Sequence, residues 1–166
     1  MNIFFLDRDP VRAARLHCDQ HVVKMVLETA QILCAALHRH GIAAPYKPTH
    51  PRHPCVLWAG DSLAHWRWTR QLGLALGEEY TFRRQRVHAS ATVIAGLAAA
   101  PAIPDIGWAE PPQAMPEAYR GDDAVMAYRA YYAAEKAHFA GKGDARWSGR
   151  PRPDFMPAQD FASQGR

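Results

Sequence analysis

The chain has few cysteines and no long hydrophobic run. Its three cysteines, Cys18, Cys34 and Cys55, form no CxxC pair. An odd number of separated cysteines argues against a disulfide framework and against a thiolate zinc cage. No apolar run approaches the ~20 residues that cross a bilayer, and the apolar stretch before Asp7 is too short for the core of a signal peptide. We therefore expect a cytoplasmic protein that makes no membrane contact.

Acidic residues are the scarcer charged class. The 166 residues include 20 Lys and Arg against 16 Asp and Glu, so the net charge is +4 with histidine counted neutral. This excess favours polyanions over cationic partners. The hydrophobic share of 48% supplies enough apolar area for one core, and the length fits one domain. No sequence feature indicates an obligate protein partner.

Asp9 and Pro10 mark the start of a long helix. Asp is a favoured N-cap residue, and Pro at the first helical position loses no hydrogen bond, because that N–H is unpaired in any helix. Apolar periodicity continues to about Arg39, and Gly41 suits the left-handed conformation that ends many helices. The pattern predicts one helix from Pro10 to Arg39 as the central element of the fold.

The rest of the chain alternates helical stretches with proline-rich loops. Helical periodicity covers residues 55–99 and 121–140. Between them lie two segments with little periodicity, residues 42–54 with four prolines and residues 101–120 with five. Proline at this density removes main-chain donors and fixes backbone angles, so residues 42–54 are predicted to be an ordered loop and residues 101–120 a long surface excursion.

These patterns predict an all-α fold. We expect a compact single-domain helical bundle around one long N-terminal helix, with Pro-rich loops and a short extended N-terminus. Residues 1–6 are apolar enough to be a buried strand or an extended tail anchored in the core. We assign residues 1–140 to a helical catalytic domain and residues 141–166 to a basic, Gly/Pro-rich C-terminal tail. The residues expected to face the core from the middle of the chain are Trp58, Trp66, Leu72, Leu76 and Tyr80.

Polar side chains line one face of the first predicted helix. Five of them fall within a sector roughly 80° wide when successive residues are placed 100° apart. They are His17, His21, Lys24, Glu28 and Gln31. The opposite side collects Leu16, Val22, Val23, Val26, Leu27, Ala30, Leu33, Cys34 and Leu37. This division predicts that the apolar side packs in the core and that the polar side meets solvent or a ligand.

The histidines of this face allow a metal-binding alternative. His17 and His21 are four residues apart, so a helix brings them together, and His50 or His53 of the first proline-rich loop could complete a site with Glu28. The HExxH pattern of zinc proteases is not present. A histidine and carboxylate metalloenzyme is one alternative, whereas our preferred assignment has no metal and no cofactor.

A short run on the first helix resembles a known family. Asp19-Gln20-His21 is followed seven residues later by Glu28. The run and its spacing resemble the phage pyrimidine-dimer DNA glycosylase and AP lyase family, small helical enzymes that excise a damaged base and nick the strand at the abasic sugar. Residues 116–122, which read PEAYRGD, are similar to a family segment of Pro, two residues, an aromatic and then Arg-Gly-Asp.

The resemblance implies a DNA N-glycosylase that excises a damaged or modified pyrimidine from double-stranded DNA, with AP-lyase action as a further step. Catalytic roles then fall on Glu28, Met1 and His21. The nucleophile is the α-amine of the chain, and α-amines are partly neutral at physiological pH, unlike lysine. Asn2 is expected to hinder removal of the initiator methionine, so Met1 carries that amine. A carboxylate stabilises the cationic sugar and moves protons.

DNA binding requires cations and polar groups that reach phosphates. By the resemblance, Gln20 and His21 lie against the DNA backbone near the lesion, and Gln31 takes the position of a family arginine. The basic run 83–88 and the first proline-rich loop add further candidates. The DNA-binding residues that we assign are Gln20, Lys24, Gln31, Lys47, His50 and Arg84. A third possibility is a noncatalytic nucleic-acid-binding module, whose DNA binding would survive Glu28→Gln.

Overall fold

A computed structural model describes residues 1–158, and the end of the predicted tail, residues 159–166, lies outside the described residues. Helices dominate the described chain. They are α1 (Pro10–Leu16), α2 (Asp19–Arg39), α3 (Pro54–Asp61), α4 (Leu63–Arg84), α5 (Ala89–Gly96) and α6 (Ala124–Glu135), with a 3-10 turn at Glu117–Tyr119. The strands β1 (His138–Phe139) and β2 (Gly143–Asp144) pair antiparallel. The mostly helical class is confirmed, and no helix within residues 1–158 has the length and apolarity to cross a bilayer.

The core forms where α2 packs against α3, α4 and α5, while α1 packs against α4. A side chain at Gly73 of α4 would meet Thr29 of α2 at 2.8 Å and Ile94 of α5 at 2.7 Å. Because both distances are shorter than van der Waals contact, glycine allows these three helices to approach one another closely. The residues expected to face the core, Trp58, Trp66, Leu72, Leu76 and Tyr80, are all buried.

The predicted first helix is two helices. α1 ends at Leu16 and α2 begins at Asp19, because His17 and Cys18 adopt extended conformations with ψ of 137° and 165°. The prediction of a single helix from Pro10 is therefore not confirmed. Its start is correct, since Asp9 accepts hydrogen bonds from the first turn of α1.

Distant residues satisfy the main-chain groups that the break leaves unpaired. Arg83 donates hydrogen bonds to the carbonyls of Arg15 and His17, and the Trp147 ring donates to the carbonyl of Leu16. Unpaired buried carbonyls would be costly, so these donors stabilise the interruption. Apolar periodicity depends only on nearby residues, so it cannot reveal hydrogen-bond donors that lie more than 60 residues away. The sequence pattern therefore predicted an unbroken helix.

The end of α2 follows the sequence prediction. Gly41 has a positive φ of 70°, its N–H bonds the carbonyl of His38, and the Ile42 N–H bonds the carbonyl of Leu37. This pair of reversed bonds is the Schellman motif, which satisfies the last carbonyls of a helix. Gly41 therefore ends the central helix as its backbone freedom predicts.

The described part of the predicted C-terminal tail packs on the helices. Ala145 and Trp147 are 0% and 7% exposed, and the Arg146 carbonyl accepts the N–H of Asp19 at 2.7 Å. The Trp147 indole caps the end of α1. Residues 141–158 therefore contribute to the start of α2, while the boundary that we placed at residue 140 stays a prediction.

Candidate active site at the amino terminus

The amino terminus lies against Glu28. The α-amine nitrogen of Met1 is 3.8 Å from Glu28 Oε2, and the main-chain N–H of Asn2 donates a 3.0 Å hydrogen bond to the same oxygen. The other oxygen, Oε1, is 3.2 Å from Lys24 Nζ. Glu28 is only 9% exposed, so two cations and an amide replace most of its water. The structure thus brings together Met1 and Glu28, the amine and carboxylate of the predicted site.

Asn2 fixes the path of the first residues. Its Nδ2 donates to the Ala114 carbonyl at 2.8 Å, and its Oδ1 accepts from the N–H groups of Ile3 and Phe4 at 2.7 and 3.0 Å. Residues 3–6 are buried without forming a strand, which agrees with a tail anchored in the core, but the segment turns at Phe4, whose φ is 40°, and is not extended throughout. Because both ends of the Asn2 amide are bonded, the terminus cannot shift without breaking these bonds.

The exposed face of α2 borders the amine and the carboxylate. The Met1 side chain is 3% exposed while the whole residue is partly exposed, so the accessible atoms belong to the main chain that carries the amine. On α2, Lys24 is 64% exposed, and Val23 and Leu27 are 38% and 40% exposed. A ligand that approaches Glu28 along this face meets an amine, a lysine and two apolar side chains.

This exposed face is rotated from the predicted one. We expected Val23 and Leu27 in the core and His17 and His21 at the surface, yet the histidines are 0% and 4% exposed. The break before Asp19 takes His17 off the helix. The aromatic N-terminal run then covers His21, and helical periodicity alone does not reveal this covering segment.

His21 lies inside an aromatic cluster. Its ring stacks on Phe4 at 4.6 Å, meets Phe139 edge-on at 5.2 Å, and hydrogen-bonds the Tyr132 hydroxyl through Nδ1 at 2.8 Å. Burial lowers the pKa of His21 to about 3, and the nearby His17 acts in the same direction. His21 is therefore neutral at pH 7 and supports the N-terminal run. This correction replaces the expected position of His21 along the DNA backbone, because its ring does not reach the surface.

His53 contacts the main chain of Met1. It is the N-cap of α3, where its Nδ1 accepts the Cys55 N–H at 3.2 Å, so in the neutral ring the hydrogen sits on Nε2. The imidazole also lies beside the Met1 main chain, which acts to raise the pKa of the ring. Burial, followed by the positive N-terminus, lowers the pKa of His53 below its usual value. A neutral ring thus lies beside the residue that carries the amine.

Asp19 is buried and has a positively charged partner. Its Oδ1 is 3.0 Å from Arg83 Nη1, and its Oδ2 accepts the Ser148 hydroxyl at 2.6 Å. Arg83, with a side chain that is 1% exposed, also bonds Glu79 at 3.0 Å. Burial raises the pKa of Asp19, but the hydrogen bonds from Ser148 and Arg83 outweigh it and leave that pKa below its usual value. The Asp-Gln-His run therefore begins with a structural carboxylate.

The predicted DNA-binding residues lie in two regions. Gln20 and Arg84 line one small cavity at the start of α2 and the end of α4. Lys24 and the partly buried Gln31 share the exposed face of α2. Four of the six predicted DNA-binding residues thus lie on α2 or, in the case of Arg84, beside its N-terminal end.

Lys47 and His50 are exposed on the first proline-rich loop. That loop folds back onto α2, where the His38 ring bonds the Tyr46 carbonyl at 2.9 Å. His50 lies close enough to His53 to affect its pKa. The loop therefore approaches the amino terminus through His53.

The metal-binding alternative gains no support from the histidine positions. The Nδ1 atom of His17 bonds the Ala13 carbonyl at 2.7 Å, and the Nδ1 atoms of His21 and His53 bond Tyr132 and Cys55. Across residues 1–158, no group of three or more His, Cys, Asp or Glu side chains is arranged to hold a metal ion.

Sequence reasoning missed two residues of the site. The sequence indicates Asn2 only through its effect on methionine removal, and His53 only as a metal ligand. His53 does carry a local signal, because it precedes Pro54 at the start of a helical pattern, which is the N-cap position. The bonds of Asn2 depend on Ala114, more than 100 residues away, and have no local signal.

Comparison of the chain with protein-family models, with curated proteins and with solved structures finds no match. The geometry around Met1 and Glu28 is therefore the basis for a functional assignment.

Proposed function

We propose that the protein is a DNA N-glycosylase that excises a damaged or modified pyrimidine, with the α-amine of Met1 as nucleophile and Glu28 as its carboxylate partner. The observation that carries the proposal is the 3.8 Å distance between the Met1 nitrogen and Glu28 Oε2. A nucleophile beside a proton acceptor is the arrangement that covalent catalysis requires. The mildly basic charge of +4 suits a polyanionic substrate.

The reaction uses both groups in sequence. The neutral amine attacks C1′ of the target nucleotide, the bond from C1′ to the base breaks, and its electron pair leaves with the base, which takes up a proton. The nitrogen then gives up one proton, the C1′–O4′ bond breaks as O4′ takes up a proton, and the nitrogen lone pair forms a protonated imine between Met1 and C1′. Glu28 stabilises the cationic sugar and accepts a proton from the amine. Removal of a C2′ proton and departure of the 3′ phosphate would nick the strand.

Asn2 and His53 act as positioning residues in this proposal. The Asn2 N–H holds Glu28 Oε2, and its side chain fixes the turn that begins at residue 2. The His53 ring lies beside the Met1 main chain, and we assign it to keeping that residue in place. Such pre-organisation matters because a misplacement of about 1 Å can slow a reaction on the order of 100-fold.

Val23 and Leu27 are suited to contact unstacked DNA. A glycosylase reaches its target by extruding a nucleotide, and apolar side chains often occupy the gap in the base stack. These two residues are exposed on the face of α2 that borders Glu28. We assign them to this gap, with Lys24 directed at a flanking phosphate.

Excision assays test the proposal. Duplexes carrying one pyrimidine dimer, one modified pyrimidine or one abasic site are incubated with the wild-type protein and with Glu28→Gln. We expect base release by the wild type and a loss on the order of 100- to 10,000-fold in the variant. Glu78→Gln on α4 is the matched control, because Glu78 is exposed and distant in sequence from the site. Release from none of the duplexes would defeat the proposal, and unchanged DNA affinity would then indicate a noncatalytic binding module.

A further inference from the structure

Three cations surround a small cavity beside the start of α2. Arg84 from the end of α4 and Lys142 and Arg146 from the C-terminal segment line it, together with Gln20. The cavity has a volume of about 370 Å³ and is completed by Asp19 and Ser148. Three parts of the chain that are far apart in sequence thus bring positive charge to one place.

These cations have no carboxylate partner among residues 1–158, unlike several other arginines of the protein. Arg39, Arg129 and Arg150 pair with Asp61, Asp7 and Glu79 at 2.7, 3.2 and 2.6 Å. The one carboxylate in the cavity wall, Asp19, is already bonded to Arg83 and Ser148. The positive charge of the cavity is therefore not neutralised within the described chain.

The backbone around the cavity is held in place. The Arg146 carbonyl accepts the Asp19 N–H at 2.7 Å, and Gln20 Nε2 donates to the Asp144 carbonyl at 3.3 Å. The Ser148 N–H bonds Asp19 Oδ1 at 3.0 Å. These bonds fix the segment that carries Lys142 and Arg146 against α2, and a fixed set of cations loses less entropy on binding an anion than mobile side chains do.

We propose that this cavity binds a backbone phosphate of the DNA strand whose target nucleotide reaches Met1. The inference rests on the proposed function for the identity of the ligand. Gln20 and Glu28 are eight residues apart on α2, which is about 12 Å along the helix. Because each strand carries one phosphate per about 3.4 Å of duplex axis, the bound phosphate lies about three to four nucleotides from the target.

The exposed face of α2 connects the cavity with the amine. Gln20 lies at the cavity, Lys24 and Leu27 follow on the same face, and Glu28 borders that face beside Met1. A strand that runs along α2 would contact the cavity at one end and the nucleophile at the other. The cavity thereby sets the register of the DNA relative to the site.

Salt-dependent binding to undamaged duplex tests the phosphate site. We expect Arg84→Gln and the double change of Lys142→Gln with Arg146→Gln each to weaken binding and to reduce the slope of log affinity against log salt by about 1. Arg67→Gln is the matched control, since Arg67 is an exposed arginine of the same helix, about 25 Å from Arg84 along its axis. Slopes equal to that of the control would overturn the inference.

A neutral methylphosphonate at single positions tests the register. A methylphosphonate placed three to four nucleotides from the lesion should weaken wild-type binding on the order of tenfold. It should leave the affinity of the double variant unchanged, because that variant has already lost the contact. Equal weakening of both proteins would overturn the assigned position. If the wild type excises bases but the cavity variants keep the wild-type salt slope, only the proposed phosphate site is contradicted. If the variants have altered slopes but the wild type excises no base, only the proposed glycosylase activity is contradicted.

Discussion

The main-chain N–H of Asn2 donates to Glu28 Oε2, the oxygen that faces the Met1 amine 3.8 Å away. One carboxylate oxygen therefore contacts the first two residues of the chain, while its second oxygen contacts Lys24. The position of the amine depends on this bond and on the side chain of Asn2, so changes at residue 2 should affect both stability and catalysis.

Asn2→Ala removes the bonds to Ala114 and to the N–H groups of Ile3 and Phe4. Because these groups are buried or partly buried, we expect the free energy of unfolding to fall by about 1 to 3 kcal/mol. Excision by the folded variant should also slow, since the amine loses its fixed position. Urea unfolding and single-turnover kinetics measure the two effects. Gln71→Ala, which removes an exposed amide, should change stability by less than about 0.5 kcal/mol.

His53→Phe separates positioning from folding. The ring volume is kept while the Cys55 N–H loses its acceptor and the Met1 main chain loses a polar neighbour. We expect kcat to fall on the order of 10- to 100-fold with little change in KM, because the nucleophile is displaced and DNA binding is not. His53→Gln retains a donor and should recover part of the rate. A kcat of His53→Phe equal to that of the wild type would remove His53 from the site.

Acid should destabilise the protein through His17 and His21. Burial lowers the pKa of His17 to about 4 and that of His21 to about 3, from an ordinary value of 6.5. Below pH 6.5 these two imidazoles bind protons in the unfolded chain but stay neutral in the folded chain. The free energy of unfolding therefore falls by up to about 1.4 kcal/mol per pH unit for each histidine. The loss begins near pH 6.5 and is complete for both near pH 3.

Unfolding measured between pH 7 and pH 4 tests this dependence. His21→Gln should show a shallower decline, because one proton fewer is taken up on unfolding. A wild-type stability that does not change over this range would contradict the buried neutral histidines.

Arg83→Met breaks a buried network. Arg83 bonds Asp19 and Glu79 with a side chain that is 1% exposed. We expect a loss of about 3 to 5 kcal/mol in the free energy of unfolding, because buried carboxylates lose their cation. Arg39→Met, which breaks an exposed pair with Asp61, should cost less than about 1 kcal/mol. Equal losses in the two variants would contradict this ranking.

Local rules predicted the parts of the fold that local bonds determine. Asp9 and Pro10 start α1 and Gly41 ends α2, because caps and left-handed glycines act within a few residues. The break at His17 and Cys18 could not be predicted in this way. Its carbonyls bond Arg83 and Trp147, whose positions depend on the completed fold.

The candidate site was only partly accessible from the sequence. The resemblance of Asp19-Gln20-His21 and Glu28 to a glycosylase family suggested Met1 and Glu28, but no periodicity could place the amino terminus beside α2. The same periodicity assigned His21 to the surface, because it cannot show that Phe4 stacks on this ring. Long-range packing therefore brings the amino terminus beside Glu28, and it also buries His21, which periodicity had assigned to the surface.

Borohydride trapping followed by mass spectrometry tests the role of the amine most directly. The wild type, Glu28→Gln and a form extended by Gly-Ser before Met1 are incubated with abasic and lesion-bearing duplexes, reduced and digested. We expect a DNA adduct on the N-terminal peptide of the wild type, attached at the Met1 nitrogen, and none in the extended form, whose amine is moved away from Glu28. An adduct on a lysine, or base excision that is undiminished in the extended form, would contradict the assignment of Met1 as the nucleophile.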